Sequence, residues 1–169
     1  MIPKRVKQFY INVTDKMNEE DYKYVNAIIT EEEFELFNKL LKSEQKHSVR
    51  IAKYIENSID NKLVFDEDII NNKDLLIKAA LLHDVGKSKK SVNVIEKSII
   101  VILNKLTKGN LRNLKISQKV QCYYNHADYS YELLNKINND RKLLEIVKNH
   151  HRETNDKLIN FFKDSDDKN

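Results

Sequence analysis

The 169-residue chain is poor in the residues that build turns, staples and membrane spans: it has one cysteine, one proline, two glycines and no tryptophan. The single Cys122 cannot form an intramolecular disulfide, so nothing in the sequence points to an oxidising compartment. So little glycine and proline excludes the many tight turns of a β-sandwich or barrel and favours helices. Long hydrophobic runs are absent too. The longest, Ile99 to Leu103, falls far short of the roughly 20 residues of a membrane span. The N-terminus, Met1 to Lys7, is basic but has no apolar segment of the kind a signal peptide carries. These absences predict a soluble, cytoplasmic protein with no membrane partner. A 40% hydrophobic content over this length is enough for one domain with its own core.

What is present is unevenly spread. The net charge is +4, yet Val85 to Ala127 holds nine basic residues and one acid, a balance of +8. The remainder holds 21 basic and 25 acidic residues, a balance of −4. A central stretch this positive attracts anions such as phosphorylated small molecules, nucleic acid or an acidic surface.

Apolar periodicity predicts one all-α domain of seven or eight helices, with 1–42 as a helical extension and 43–167 as the core. The first helix is expected over Lys4–Met17. Thr30 with Glu33 fits a capping box for the next, and Ser43 is the expected cap of a helix from Glu44 to about Ile59. Asn57–Asn72 reads as a connection with room for one short turn. Asn72–Val85 is apolar around most of its circumference and therefore central, with Gly86 placed to terminate it. Ser91–Lys108 reads as amphipathic. A helix from Ile116 is expected to break or continue near Asn125, and Lys142–His150 and Asn155–Asp167 complete the set.

The strongest chemical signal is Leu81-Leu82-His83-Asp84-Val85-Gly86-Lys87. A buried helix ends in an adjacent His-Asp pair, and burying such a pair is costly unless each member is hydrogen-bonded or bound to a metal. The partial negative charge at a helix C-terminus favours a cation there. The plainer reading has His83 bonded to a backbone carbonyl and Asp84 capping a neighbouring helix. The remaining histidines are His47, His126 and the adjacent pair His150-His151. Consecutive helical residues point about 100° apart, so both members of the pair reach one site only if the helix ends there. Arg152 to Asn155 can supply that end.

The ordered set His47, His83-Asp84, His126, His150-His151 and a late Asp resembles the HD-domain superfamily of metal-dependent phosphohydrolases, and His83-Asp84-Val85-Gly86-Lys87 is close to its His-Asp-Ile-Gly-Lys signature. All five histidines fall on the pattern. The resemblance implies an all-helical fold, with His47, His83, Asp84 and the late Asp on one metal. Asp84 would bridge to a second ion held by His126, His150 and His151. Such a mixed imidazole and carboxylate set suits Fe, Mn, Ni, Co or Zn. Two such ions can supply a metal-activated water and stabilise displacement at phosphorus. The family places a small residue before the late Asp, as Ser165 precedes Asp166, and Asp166 shares a helical face with Ile159 and Phe162. Asp166 is therefore the expected ligand, with Asp164 in reserve and Asp167 third.

Asp84 and Lys87 are the expected catalytic residues, with Lys87 and Arg50 as phosphate contacts. Lys87 can equally be a solvated lysine and Arg50 an ion-pair partner of another helix. Tyr123, Tyr124, Tyr129 and Tyr131 surround His126 and read as core with hydroxyls at the rim. No Gly-Tyr-Pro segment follows Lys87, which argues against a cyclic-dinucleotide substrate. The expected function is hydrolysis of a phosphomonoester or phosphodiester, nucleotide-like in character. The alternative is a catalytically silent metal- and nucleotide-binding regulatory module. Nucleic acid is not the expected primary partner.

Overall fold

The computed structural model describes residues 15–90, 92, 94–111 and 117–169. They form nine α-helices and one 3-10 turn. These are α1 (Glu19–Asn26), α2 (Glu31–Asn38), α3 (Lys42–Asp60), α4 (Glu67–Asn71), α5 (Lys73–Leu82), the turn η1 (Val85–Lys89), α6 (Val94–Leu106), α7 (Gln118–Leu134), α8 (Arg141–Asn149) and α9 (Lys157–Lys168). The architecture is all-α, as expected. The helix expected over Lys4–Met17 falls largely outside the described residues, and Asp15–Met17 carry no helix.

Most helix starts are written locally. Asn18, Thr30, Asp66, Ser117, Asp140 and Asp156 each accept a backbone N–H two or three residues on. Each satisfies a donor the helix cannot, worth about 1 kcal/mol. The capping box of Thr30 with Glu33 forms as expected.

α5 is the axis of the fold. Leu76, Ile77 and Ala79 to Leu82 are buried, and α3, α8 and α9 pack around them. Fully burying a leucine stabilises by about 1.5–3 kcal/mol, and Ala79 and Ala80 let the neighbouring helices approach closely. This packing delivers the C-terminus of α5, with His83 and Asp84, into the middle of the protein.

Several expectations are corrected. α3 begins at Lys42, not after Ser43, because the Glu44 carboxylate accepts the Leu41 N–H at 3.2 Å and Ser43 takes no part. It runs to Asp60, four residues into the expected connection. The acidic helix α1 has no counterpart in the sequence reading. α7 is continuous through Asn125, whose side chain bonds back to the Gln121 carbonyl at 2.9 Å. Gly86 does not terminate α5 in a left-handed conformation. The helix ends at Leu82, Gly86 lies inside η1, and the positive-φ glycine is Gly109 at φ 87°. Gly86 is required by close approach: a Cβ on it would lie 2.2 Å from the His126 carbonyl oxygen and 2.4 Å from the Ser130 nitrogen. Helix α6 forms inside the segment expected to be amphipathic, Ser91–Lys108. Ile100 is buried, but Ile99, Ile102, Leu103 and Leu106 are exposed.

Candidate metal centre

Five elements bring the predicted residues together. α3 contributes His47, the end of α5 contributes His83 and Asp84, α7 contributes His126, the end of α8 contributes His150 and His151, and α9 contributes Asp166. Three groups of potential ligand atoms each lie within 4.8 Å of one another: His47, His83 and Asp84; His126, His150 and His151; and His83, His150 and Asp166. His150 joins two of these groups, and its ring lies 5.0 Å from that of His83.

Three histidines are oriented the same way. Nδ1 of His83 donates to the Ala80 carbonyl (2.9 Å), Nδ1 of His126 to Tyr123 (2.7 Å) and Nδ1 of His150 to Val147 (2.6 Å). A carbonyl only accepts, so each Nδ1 carries its proton and each Nε2 is left to face the site. This backbone grip fixes the tautomer in which imidazole binds a metal.

The Nε2 atoms converge on the Asp84 carboxylate and on one another. His126 Nε2 lies 3.2 Å from Asp84 Oδ1 and 2.9 Å from His151 Nε2. The buried Asp84 Oδ1 and His150 Nε2 have no hydrogen-bond partner. Orphaned acceptors in a buried site are costly, and a cation among them satisfies all at once. The residues therefore fit a metal ion, and their nitrogen and carboxylate chemistry fits a divalent transition metal.

The electrostatics agree. Burial, then the charge of Lys87, pushes His126 down to about 3. Burial, then His83, holds His150 far below its ordinary value, and burial also lowers His47 and His151. These imidazoles are neutral and ready to coordinate. His83 is the exception: burial opposes its charge, but the adjacent Asp84 carboxylate, 3.2 Å from Nε2, outweighs it and raises the value. Burial likewise resists ionisation of Asp84, and His83 with Lys87 overcomes it. Asp166 is held below the usual carboxylate range against burial by its hydrogen bond to His47 Nε2, at 3.0 Å, and by His83.

Asp166 is the late aspartate that reaches the cluster, while Asp164 and Asp167 are exposed. His150 and His151 both reach it because α8 ends at Asn149, leaving His150 as its cap. His150 is buried, whereas His151 is exposed and marks the opening. Lys87 pairs with Asp84 Oδ2 inside the site. Arg50, one turn after His47, pairs with Asp15 at 3.1 Å. Asp128 pairs with Arg152 at 2.7 Å, and Tyr123 and Tyr124 pack on the small core of Val92, Ile100, Leu111 and Val120. The sequence reading did not name Ser130 as a positioning group. Its buried hydroxyl accepts the Gly86 N–H at 2.8 Å and ties η1 to α7.

The fold and site define a helical protein built around a buried histidine and aspartate cluster suited to divalent metals. A family model described as "HD domain" matches residues 45–167, and the chain belongs to this family of the metal-dependent phosphohydrolase superfamily. No curated protein and no solved structure matches it. Among the described residues no helix is long and apolar enough to cross a membrane.

Proposed function

We propose that the protein hydrolyses a phosphomonoester or phosphodiester of nucleotide-like character, with two divalent transition metal ions in the cluster. The observation that carries this reading is the shared orientation of His83, His126 and His150, with Nδ1 tied to carbonyls and Nε2 turned toward Asp84 and its neighbours. His47, His83, Asp84 and Asp166 would hold one ion. Asp84, His126, His150 and His151 would hold the other, with the Asp84 carboxylate shared. Bound metals would supply water activation and neutralisation of phosphoryl oxygens. Lys87, charged beside Asp84, would donate to a substrate phosphate when metal takes over that carboxylate. Arg50 would extend the phosphate contact on leaving Asp15.

A second reading of the same cluster is a regulatory module that binds metal and nucleotide without turnover. Metal analysis of the purified protein, followed by a panel of phosphatase and phosphodiesterase substrates, separates the two. Hydrolysis lost in His83→Ala and Asp84→Ala establishes the enzyme. Metal retention with nucleotide binding and no product establishes the module. Wild-type protein that takes up no Mn, Fe, Ni, Co or Zn would overturn both.

A further inference from the structure

The site absorbs the histidines and Lys87 but leaves two features unused: the rest of the basic central stretch and the outward face of α6. Helix α6 is 13 residues long, and Ile99, Ile102, Leu103 and Leu106 recur along it at helical spacing. At about 100° per residue they occupy one sector about 100° wide. Ile102 is 58% and Leu106 73% exposed. Four large aliphatic side chains in one stripe make a patch on the order of 400 Å², the size of the largest patch a soluble monomer usually carries, which is often functional. The helix buries itself on a different side, through Ile100.

We propose that this face of α6 docks the protein peripherally on an anionic lipid surface. Charge selects this occupant. The stripe lies within the stretch whose basic residues exceed its acids by eight; Lys87, Lys89 and Lys119 of that stretch are ion-paired, and Lys90, Lys105 and Lys108 are exposed. Pairing two copies through α6 would bring two such positive stretches together, which opposes a self-made interface. Nucleic acid would match the charge but offers little to four aliphatic side chains at the centre of the patch. An anionic bilayer takes both, the aliphatics at the acyl boundary and the lysines among the headgroups. A 13-residue helix is about 20 Å long, too short to span but suited to lying in the interface.

The test uses the full chain with phosphatidylcholine vesicles, either alone or containing about a third phosphatidylserine. Co-sedimentation is expected with the anionic vesicles only, weakening as salt rises. The combined Ile102→Glu and Leu106→Glu variant, whose substitutions lie on exposed positions, should keep its circular dichroism and melting temperature and lose at least tenfold in vesicle affinity. Because the chain lacks tryptophan, Leu106→Trp supplies a unique reporter whose emission should shift to the blue on anionic vesicles. No sedimentation of folded wild type at low salt overturns the proposal. So does binding that survives the double substitution. A concentration-dependent dimer abolished by the double substitution, without vesicle binding, assigns the face to a second copy instead, and a salt-sensitive gel shift without vesicle binding assigns it to nucleic acid.

Discussion

Replacing Gly86 by alanine tests how the site is held together. The new Cβ would lie 2.2 Å from the His126 carbonyl oxygen, 2.4 Å from the Ser130 nitrogen and 2.8 Å from Tyr129 Cβ. Two of these are backbone atoms, which cannot rotate aside. Ordinary contact begins near 3.4 Å, so η1 and α7 must separate by roughly 1 Å. Overpacking of this kind costs about 1–3 kcal/mol, and stretching the buried Gly86 N–H away from the Ser130 hydroxyl adds about 1–2 kcal/mol. Together they amount to about 2–5 kcal/mol, a fall in melting temperature on the order of 10 °C for a chain of this size. The same displacement carries His126, on α7, away from Asp84, two residues before Gly86, so metal affinity should fall with stability. Gly109→Ala is the control: its φ of 87° strains any side chain, but nothing lies within 4 Å, so the cost is about 1–2 kcal/mol with metal binding unchanged. Differential scanning calorimetry and metal titration of both variants decide the matter. A Gly86→Ala protein no less stable than Gly109→Ala, or one that binds metal like wild type, would refute the close-approach argument.

Asp166→Asn should lower metal affinity at least tenfold by isothermal titration, whereas Asp164→Asn, on the exposed face of α9, should leave it unchanged. Metal uptake should release a proton from His83, whose value is raised, while His126 and His150 are already neutral. Apparent affinity should therefore climb with pH until His83 is deprotonated and then level off, and calorimetry in buffers of different ionisation enthalpy counts the proton. Asp21 is buried between Lys46 (2.6 Å) and Lys53 (2.8 Å), which hold its carboxyl below the usual range against burial. Its folded value is depressed, so its stabilisation is present above about pH 4 and lost as pH falls toward that lower value. Asp21→Asn should cost about 1–3 kcal/mol in urea denaturation at pH 7, and the gap from wild type should narrow at pH 3.

The His-Asp chemistry was legible because it is carried by residue type and order. A pair at the end of an all-apolar helix has to be satisfied somewhere, and the other histidines at helix ends or on amphipathic helices are what can satisfy it. The choice of Asp166 followed from helical phase relative to Ile159 and Phe162, a local quantity the fold preserves. What could not be read was anything set by a distant neighbour. Asn125 looked like an interruption, yet its side chain returns to the Gln121 carbonyl and α7 runs on. Gly86 looked like a stop signal because glycine after a helix usually is one, whereas its reason lies 40 residues away in the backbone of His126 and Ser130. Arg50 was ambiguous between substrate and ion pair, and its contact with Asp15 depends on a chain reversal with no local signature.

Helix α6 shows the same limit more sharply. Periodicity gives the phase of an apolar stripe but not its direction, since a face turned to the core and one turned to a partner have identical spacing. Amphipathic spacing alone left open where Ile99, Ile102, Leu103 and Leu106 point. The one independent sign lay in the lysines around them, for a helix that packs only on its own core has no need of a strongly positive setting. Composition and periodicity, taken separately, each pointed to something ordinary, anion attraction and an amphipathic helix. Their coincidence on one 13-residue segment is what distinguishes a surface for an anionic, partly apolar partner.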